Sequence, residues 1–443
     1  MTKLYIKQAH IVSMNAEDDI FTGDVWIQDD RIVYVAPDLQ FMEPQADRVI
    51  SGKGRVLMPG FVQTHIHLCQ TLFRGRADDM ELLDWLKKRI WPLEAAHDEE
   101  SVYYSALLGI GELIRSGTTT ILDMETVNHT ASAFRAMAES GIRAVSGKVM
   151  MDQGVGVPKE LLEQTEASLN ESVALLEQWH GHDGGRISYA FCPRFVVSCT
   201  EALLTEVRDL SAHYGVKVHT HASENRGEIE LVERERGMRN VVYLDHIGLA
   251  KPNLILAHCI WLDDEEKRII RERGVKVTHC PGSNLKLASG IAEVPDLLSR
   301  HIQVGLGADG APCNNNLDMF QEMRLTAYMQ KVQHGPTSMN AKTVLRMATM
   351  GGAEVLGMEE EIGSIEPGKK ADVILLDLND FHTYPAHETD LYSRIVYSAT
   401  RGDVETVIIN GTIVMEDRMH LTVDKALVLK ESDRAISRLL KRI

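Results

Sequence analysis

Four histidines and one aspartate share a position in the pattern of the chain, because each lies at the end of a short apolar run. They are His65, His67, His221, His258 and Asp309. Short apolar runs rich in β-branched residues are typical of buried strands. If these strands are parallel and form a β/α barrel, their carboxyl ends meet on one face and bring the five side chains together. The sequence therefore predicts a cluster of imidazoles beside a carboxylate.

Such a cluster has the ligand chemistry of a divalent metal site. In the stretch His65-Ile66-His67, both imidazoles project to the same side of a strand, because side chains alternate with a period of two. A third imidazole and a carboxylate complete a donor set that suits zinc, and the same donors accept iron or manganese. We therefore expect one divalent ion, Zn²⁺, with Fe²⁺ or Mn²⁺ as alternatives.

A second H-x-H pair, His219 and His221, makes the identity of the third imidazole ambiguous. Glu224 lies three residues after His221, where a carboxylate reaches the rim of the same pocket. His221 is therefore the expected ligand, and His219 is expected to pack behind it. The alternative interpretation of Glu224 is a surface carboxylate beside Arg226.

A phosphate-binding loop is the main competing motif, and its context argues against it. Residues 363–370 resemble such a loop, but they lack the final serine or threonine and precede a predicted strand rather than a helix. The chain also contains no H-E-x-x-H or G-x-S-x-G motif. The metal cluster is the chemical site that the sequence supports.

Strands alternate with amphipathic helices through the middle of the chain, about residues 58–365. Residues 99–115 have a helical pattern, and residues 118–122 follow as a strand. Further strands are predicted to end at Met151, Phe191, His221, His258, His279 and Asp309. Together with the strand before His65 these make eight, the number that closes a parallel barrel. The predicted fold class is α/β, with a TIM-like (β/α)8 barrel.

Both ends of the chain are typical of β-structure. Short β-branched or aromatic runs lie at residues 4–6, 24–27 and 31–35, and again at 371–376 and 404–409. Asn410-Gly411 follows the last run and is a type I′ hairpin signal. We expect residues 1–57 and 366–443 to build one small β-sandwich beside the barrel of residues 58–365. The stripe of Ile436, Leu439, Leu440 and Ile443 predicts a packing helix at the end.

Composition and charge argue against several classes of partner. The 443 residues are 44% hydrophobic and 25% charged, within the globular range. A net charge of −17 repels phosphate backbones and anionic lipid. No apolar run is long enough for a membrane span, and the six cysteines form no C-x-x-C pair. We expect a cytoplasmic protein with reduced, mostly buried thiols that binds neither nucleic acid nor membrane.

Taken together, the motifs resemble the amidohydrolase superfamily, in particular its metal-dependent branch of deaminases and chlorohydrolases. The resemblance is carried by residues 59–67, 221–224, 257–259, 279–287, 305–310 and 368–372. It implies a distorted barrel, a β-sandwich from both termini and a homo-oligomer. It also implies that the metal ligands are His65, His67, His221 and Asp309. Members with two metals bridge them with a modified lysine at the end of strand four, and residues 191–194 contain no lysine, so one metal is favoured.

The resemblance further implies the hydrolytic deamination of a heteroaromatic ring. A divalent ion lowers the pKa of bound water toward about 7. Asp309 is then the base that takes the proton of the attacking water, and Glu224 protonates the neighbouring ring nitrogen. His258 contacts the substrate and steadies the developing oxygen, and ammonia leaves. The catalytic residues implied are thus Glu224, His258 and Asp309.

Different stretches of the sequence resemble enzymes that act on two different classes of purine. Residues 71–79, 82–86, 283–287 and 310–324 resemble deaminases of 5′-deoxyadenosine, 5′-methylthioadenosine and S-adenosylhomocysteine. Residues 193–199 and 223–226 resemble guanine deaminase, in which the arginine matching Arg194 grips the ring carbonyl and the residue matching Gln70 binds the base edge. Trp85 and Phe195 have flat side chains that suit stacking on either ring, and each also suits an apolar core.

More of the chain matches the adenosine class, so a 5′-modified adenosine is expected first and guanine second. The adenosine-type enzymes usually carry a histidine where Arg194 stands. A chlorotriazine hydrolase is the third possibility, because the same hydroxide displaces chloride as readily as ammonia. The alternative from another class is a non-catalytic scaffold, which is disfavoured because the ligand set and Glu224 are all present.

Overall fold

The chain begins with five strands that belong to a sheet separate from the barrel. The computed structural model describes residues 2–443. The five strands are β1 (Lys3–Val12), β2 (Ile20–Gln28), β3 (Arg31–Ala36), β4 (Arg48–Ser51) and β5 (Val56–Pro59). β1 pairs antiparallel with β2 and parallel with β4 and β5. The runs predicted at residues 4–6, 24–27 and 31–35 lie inside β1, β2 and β3.

The middle of the chain forms a closed parallel barrel, which confirms the predicted (β/α)8 fold class. Its strands are β6 (Phe61–His67), β7 (Thr118–Met124), β8 (Arg143–Gly147), β9 (Val149–Met150), β10 (Ile187–Pro193), β11 (Lys217–Ala222), β12 (Leu254–His258), β13 (Lys276–His279), β14 (Val304–Leu306) and β15 (Asp309–Gly310). Eight of them follow the order β11-β12-β13-β14-β6-β7-β8-β10, and pairing of β10 with β11 closes the ring. The two-residue strands β9 and β15 extend the edges of β10 and β6.

The last strands return to the first sheet. They are β16 (Val373–Leu376), β17 (Val404–Ile409), β18 (Thr412–Glu416) and β19 (Met419–His420). β16 pairs antiparallel with both β5 and β17, so the two ends of the chain share one nine-stranded sheet. Asn410 and Gly411 have φ of 52° and 74°, which the predicted I′ hairpin requires. A separate β-domain built from both termini is thereby confirmed.

A single glycine separates this sheet from the barrel. β5 ends at Pro59, β6 begins at Phe61, and the N–H of Gly60 donates to the carbonyl of Asp372 at 3.0 Å. A Cβ at residue 60 would lie 2.1 Å from the Cγ2 of Thr119, so only glycine fits this crossing. β5 extends across the predicted boundary at residues 57/58, and the bounds of the three predicted segments stay predictions.

Helices connect the strands and cover the barrel. They are α1 (Leu82–Trp85), α2 (Trp91–Ala95), α3 (Glu99–Arg115), α4 (Thr130–Ser140), α5 (Thr165–Trp179), α6 (His182–Gly185), α7 (Glu201–Tyr214), α8 (Arg226–Arg236), α9 (Asn240–His246), α10 (Asp264–Arg273), α11 (Pro281–Lys286), α12 (Val294–Ser299), α13 (Ala311–Asn314), α14 (Met319–His334), α15 (Ala341–Ala348), α16 (Met350–Leu356), α17 (Leu391–Ser393) and α18 (Lys425–Leu439). A π-helical turn, Leu86–Ile90, joins α1 to α2. α3 has the predicted bounds, because the Asp98 carboxylate accepts from the N–H of Ser101 and starts the helix in a capping box.

The terminal helix is shorter than its apolar stripe predicts. Ile436 and Leu439 are buried, whereas Leu440 is 38% exposed and Ile443 is 59% exposed. The difference arises because α18 ends at Leu439, so the later residues no longer follow the helical period. The buried side of α18 packs on α3 and joins a core cluster that includes barrel residues.

Two predictions about the chain as a whole can be compared with the structure. The six cysteines are all buried and unpaired, as expected for reduced thiols. Within residues 2–443, no helix combines the length and the apolarity that crossing a bilayer needs.

Candidate active site

The predicted polar cluster forms at the carboxyl ends of the barrel strands, from residues of β6, β11, β12 and β15. His67 ends β6, and His65 lies two residues before it. His221 lies near the end of β11, and His258 ends β12. β15 pairs with β6 so that Asp309 lies beside Ile66, between the two histidines of that strand. The structure therefore brings all five residues together on the face where barrel active sites are built.

The ligand atoms of the cluster point at one another. Asp309 Oδ1 lies 3.3 Å from His65 Nε2 and 3.3 Å from His67 Nε2. His67 Nε2 lies 3.3 Å from His221 Nε2. The five side chains supply two overlapping sets of three potential metal ligands, of which one contains His258 in place of a carboxylate. The geometry alone therefore admits His258 as well as the four expected ligands.

Hydrogen bonds from outside the cluster fix two of the rings. His67 Nδ1 lies 2.7 Å from the carbonyl oxygen of Met124, and His221 Nδ1 lies 2.7 Å from that of Arg194. A carbonyl only accepts, so each Nδ1 carries the proton and each Nε2 keeps a free lone pair. Partners of this kind orient imidazole ligands around a metal ion.

The third ring is fixed by another histidine. His65 Nδ1 lies 2.7 Å from His219 Nε2, and His219 Nδ1 lies 3.1 Å from the carbonyl of Ile255. His219 therefore donates through Nδ1 and accepts from His65 through Nε2, which leaves His65 Nε2 free. The predicted packing of His219 behind the cluster agrees with this contact.

The protonation states of the cluster fit a divalent cation. Burial lowers the pKa of His65 and His221, and it lowers that of His67 to about 3, so these imidazoles are neutral ligands. Burial also acts to raise the pKa of Asp309, but its close contacts with the imidazoles of His65 and His67 outweigh burial, and the pKa is well below its usual range. Among the described residues, His65 Nε2 has no hydrogen-bond partner although it is buried. Neutral imidazoles, a carboxylate and an unsatisfied nitrogen are what a divalent metal ion requires.

The backbone is strained where two of these residues meet the cluster. Asp309 has φ of 61° and His258 has φ of 73°, in the left-handed region that non-glycine residues seldom occupy. The strand predicted to end at Asp309 stops at Leu306, and after a break of two residues β15 begins at Asp309. Within the break, a Cβ on Gly307 would lie 2.5 Å from the carbonyl oxygen of His65. The break turns the carboxylate of Asp309 toward the imidazoles.

Glu224 is buried beside the cluster, so the surface interpretation is wrong. Its carboxyl lies 3.5 Å from His258 Nε2, and its exposed fraction is 4%. Arg226 stacks instead on the ring of Trp261, 4.0 Å from the centroid. Burial, reinforced by the charge of Asp309, raises the pKa of Glu224 to about 7. This carboxyl can therefore hold and release a proton near neutral pH.

His258 is held for contact with the same region. Its Nδ1 lies 2.9 Å from the Oδ1 of Asn284, and its Nε2 lies 3.8 Å from the Oδ2 of Asp309. Burial acts to lower the pKa of His258, but the carboxylates of Glu224 and Asp309 outweigh it and the pKa is raised. The ring can thus stabilise negative charge that develops beside Glu224.

The cavity over the cluster contains every side chain that was predicted to contact the substrate. Its lining includes Gln70, Trp85, Arg194 and Phe195 together with Glu224 and His258. Leu82, Leu86 and Leu287 complete an apolar rim. The lining thus combines apolar and aromatic side chains with a few polar groups, as small-molecule sites usually do.

Sequence reasoning missed three acidic or amide side chains at this site. Glu228 lines the cavity, Glu94 lies behind it on α2, and Asn284 orients His258. Glu94 and Glu228 lie within helices, where an isolated acidic residue resembles any solvent-exposed one. Asn284 lies in a stretch that carried the family resemblance, and that stretch was the available signal.

Two curated relatives match nearly the whole chain. A 5′-deoxyadenosine deaminase of Methanobrevibacter smithii is 43% identical over 418 residues, which cover 94% of each chain. A 5-methylthioadenosine/S-adenosylhomocysteine deaminase of Desulforudis audaxviator is 40% identical over 443 residues and the full length of both chains. The substrates in these names are those of the two relatives.

Solved structures agree with the sequence comparison. An adenosine deaminase of Xanthomonas campestris with bound zinc superposes with a TM-score of 0.92 and 33% identity, covering 99% of each chain. The guanine deaminase of E. coli gives a TM-score of 0.83 with 28% identity, covering 94% of this chain and all of that one. The profile of the Amidohydrolase family matches residues 56–414. The protein described here belongs to the amidohydrolase family.

Proposed function

We propose that this enzyme hydrolytically deaminates a 5′-modified adenosine: 5′-deoxyadenosine, 5′-methylthioadenosine or S-adenosylhomocysteine. The products are the inosine analogue and ammonia. The observation that carries the proposal is the buried carboxyl of Glu224, 3.5 Å from His258 Nε2 beside the imidazole and carboxylate cluster, in a cavity that is also lined by Trp85 and Phe195. Relatives about 40% identical over the whole chain carry the names of such deaminases.

His65, His67, His221 and Asp309 are the residues proposed to hold the metal, for which we propose Zn²⁺. The support is the free Nε2 lone pair on each imidazole and the low pKa of the Asp309 carboxyl. Zinc is also the ion bound in the similar adenosine deaminase. When bound, such an ion acidifies water to a pKa of about 7 and so supplies hydroxide at neutral pH.

Two side chains of the protein transfer the protons, and a third stabilises the developing charge. Asp309 takes the proton of the attacking water, and its carboxyl group stays fixed by the hydroxyl of Ser283, 2.7 Å from Oδ2. Glu224 gives its proton to the ring nitrogen beside the reacting carbon, which spares that ring a full negative charge. His258 stabilises the new oxygen. A C–O bond forms and the C–N bond breaks, and the amino group leaves as ammonia with the proton that Asp309 took from the water. The ring nitrogen keeps the proton from Glu224, and Glu224 regains one from the new hydroxyl group as that group becomes the ring carbonyl.

The proposal is tested by ammonia release from a panel of candidate substrates. Zinc-loaded protein is incubated with 5′-deoxyadenosine, 5′-methylthioadenosine, S-adenosylhomocysteine, guanine and 8-oxoguanine, and kcat/KM is measured for each. Chloride release from a chlorotriazine is measured in parallel. We expect at least one adenosine derivative to exceed guanine, 8-oxoguanine and the chlorotriazine. Ammonia from guanine alone, or chloride release without ammonia release, would contradict the proposal.

Guanine deamination is the second candidate because Arg194 lies in the cavity. A guanidinium suits a ring carbonyl, which guanine has and adenosine lacks. We expect Arg194→His to reduce kcat/KM for guanine by on the order of 100-fold. The reason is that the ring carbonyl of guanine would lose the guanidinium that donates hydrogen bonds to it. Turnover of adenosine derivatives should change far less. Equal losses for guanine and adenosine derivatives would refute a carbonyl contact for Arg194.

A further inference from the structure

Glu322 connects the two short helices that follow β13 and β15, although it does not line the cavity. It lies in the first turn of α14, and its side chain is fully buried. Oε2 accepts from the N–H of Gly282 in α11 at 2.9 Å, and Oε1 accepts from Asn314 Nδ2 in α13 at 2.8 Å. A Cβ at residue 282 would lie 2.6 Å from Asn314 Nδ2, so α11 and α13 meet closely at this carboxylate.

Both donors to Glu322 are uncharged, and each needs an acceptor at this position. The N–H of Gly282 belongs to the first turn of α11, where a backbone N–H has no partner within the helix. Asn314 is 7% exposed, so its amide group is also largely cut off from water. Burying a carboxylate without a paired cation is costly, and these two hydrogen bonds offset that cost. Glu322 therefore fixes both helices rather than filling space between them.

The first connection from Glu322 to the metal cluster runs through the backbone. Asn314 Nδ2 also donates to the carbonyl of Ala308 at 2.9 Å, and Ala308 directly precedes Asp309. This bond closes residues 308–314 into a compact loop, in which Asp309 has its left-handed φ of 61°. Because Glu322 orients the amide of Asn314, it helps to fix the direction in which the Asp309 carboxylate leaves the chain.

The second connection runs through the side chains of α11. Ser283 directly follows Gly282, and its hydroxyl donates to Asp309 Oδ2 at 2.7 Å. Asn284 comes next, and its Oδ1 lies 2.9 Å from His258 Nδ1. Because Glu322 anchors the first turn of α11, it sets the place from which both side chains reach the cluster.

We propose that Glu322 is a positioning residue: it holds α11 against α13 and thereby keeps the Asp309 carboxylate and the His258 ring in the orientation that the reaction needs. It acts only through the side chains of these two helices. The inference rests on the proposed function for the roles of Asp309 and His258. Loss of such a residue slows the reaction more than it weakens substrate binding.

Replacing Glu322 by glutamine tests this role. The amide keeps the shape of the side chain but has one acceptor oxygen, so its NH₂ group faces either Gly282 N–H or Asn314 Nδ2 and one contact is lost. For the best substrate of the purine panel, we expect kcat to fall about 10–100-fold while KM changes less than about threefold. Wild-type kcat in this variant, or a rise in KM that accounts for the whole loss, would overturn the inference.

A cycle of single and double variants tests whether Glu322 acts through Ser283. Ser283→Ala removes the hydroxyl that holds Asp309 and should itself lower kcat about tenfold. If the two residues act in series, Glu322→Gln should cost at least about threefold less in the Ser283→Ala background than in the wild type. Losses that simply multiply would show independent action and would contradict the proposed role.

The matched control is Asp24→Asn, which makes the same carboxylate-to-amide change at a buried site of the terminal sheet. Asp24 is 2% exposed, and its oxygens accept from the N–H groups of Gln8 and Leu39, each at 2.7 Å. This variant should lower the thermal unfolding temperature, as Glu322→Gln does, but keep the wild-type kcat. If both variants lower kcat equally, the effect is one of stability and the inference is wrong.

Cobalt-substituted protein separates this inference from the proposed function. Donors that suit zinc also accept Co²⁺, and the visible absorption of Co²⁺ reports the geometry of its ligands. With one Co²⁺ per chain, we expect the visible bands to shift in Glu322→Gln and in Ser283→Ala but not in Asp24→Asn. If no purine of the panel is deaminated, the proposed function fails, and these spectra still test Glu322.

The remaining outcomes also decide the inference. An unshifted spectrum and wild-type turnover in Glu322→Gln would refute the positioning role and leave the proposed function standing. If Glu322→Gln does not fold, Asn314→Ala removes the same contact from the side of α13, and it should give the same loss of kcat and the same spectral shift. Wild-type turnover and an unshifted spectrum in Asn314→Ala would overturn the inference.

Discussion

Replacing His65 by alanine is expected to abolish most ammonia release, with a loss on the order of 10⁴-fold in kcat/KM. His65 Nε2 lies 3.3 Å from Asp309 Oδ1, and its ring lies 4.8 Å from that of His67 and 4.9 Å from that of His221, centroid to centroid. Removing it takes one donor from the proposed metal set and leaves His219 without its partner. The bound metal per chain, measured by elemental analysis, should fall in parallel with activity.

The control for this variant is His420→Ala, which removes a histidine on β19 of the terminal sheet. It should keep both metal and activity. Chelation of the wild-type protein should abolish ammonia release, and added Zn²⁺ should restore it. Unchanged ammonia release from His65→Ala, or full activity after the metal has been stripped, would refute the metal-dependent mechanism.

Replacing Glu224 by glutamine is expected to reduce kcat by about 10²–10⁴-fold while the metal content stays unchanged. The amide keeps the shape of the side chain but cannot deliver a proton to the ring nitrogen. Glu224 acts in its protonated form, and burial raises its pKa to about 7, so wild-type activity should fall as the pH rises above that value. This alkaline fall should be absent from Glu224→Gln.

The pH profile of kcat/KM between pH 5 and about 9 measures that difference. Glu224→Asp retains a carboxyl and should keep an alkaline fall at a lower rate. If Glu224→Gln retains the wild-type profile, the proton donor is another group. If it loses metal as well as activity, the loss cannot be assigned to proton transfer, and the role proposed for Glu224 is wrong.

The alternation of strands and helices was enough to predict the barrel and the gathering of its polar strand ends. His258 and His279 end their strands as expected, because an apolar run followed by a polar residue marks where a buried strand meets the rim. The left-handed backbone at Asp309 could not be predicted, since the apolar run before it indicates only a continuous strand. Glu94 was equally hidden, because its partner Arg194 is 100 residues away in the chain.

Three predictions depend on other molecules or on the cell. The cytoplasmic location, the homo-oligomer and the avoidance of nucleic acid follow from composition and resemblance, and they stay predictions. Of the four apolar positions at the C-terminus, the helical period correctly predicted burial for Ile436 and Leu439 only. The period does not reveal that the helix ends at Leu439. Local patterns thus predicted elements better than they predicted where each element stops.

The crossing at Gly60 has a consequence for how the protein is made. The strand that carries His65 and His67 continues directly from β5, and β5 finds its neighbour β16 only when residues 373–376 exist. More than four fifths of the polypeptide is therefore synthesised before β16 can pair with the edge of β5. The sheet that precedes the histidine-bearing strand is consequently completed late in biosynthesis, after all five residues of the cluster have been made.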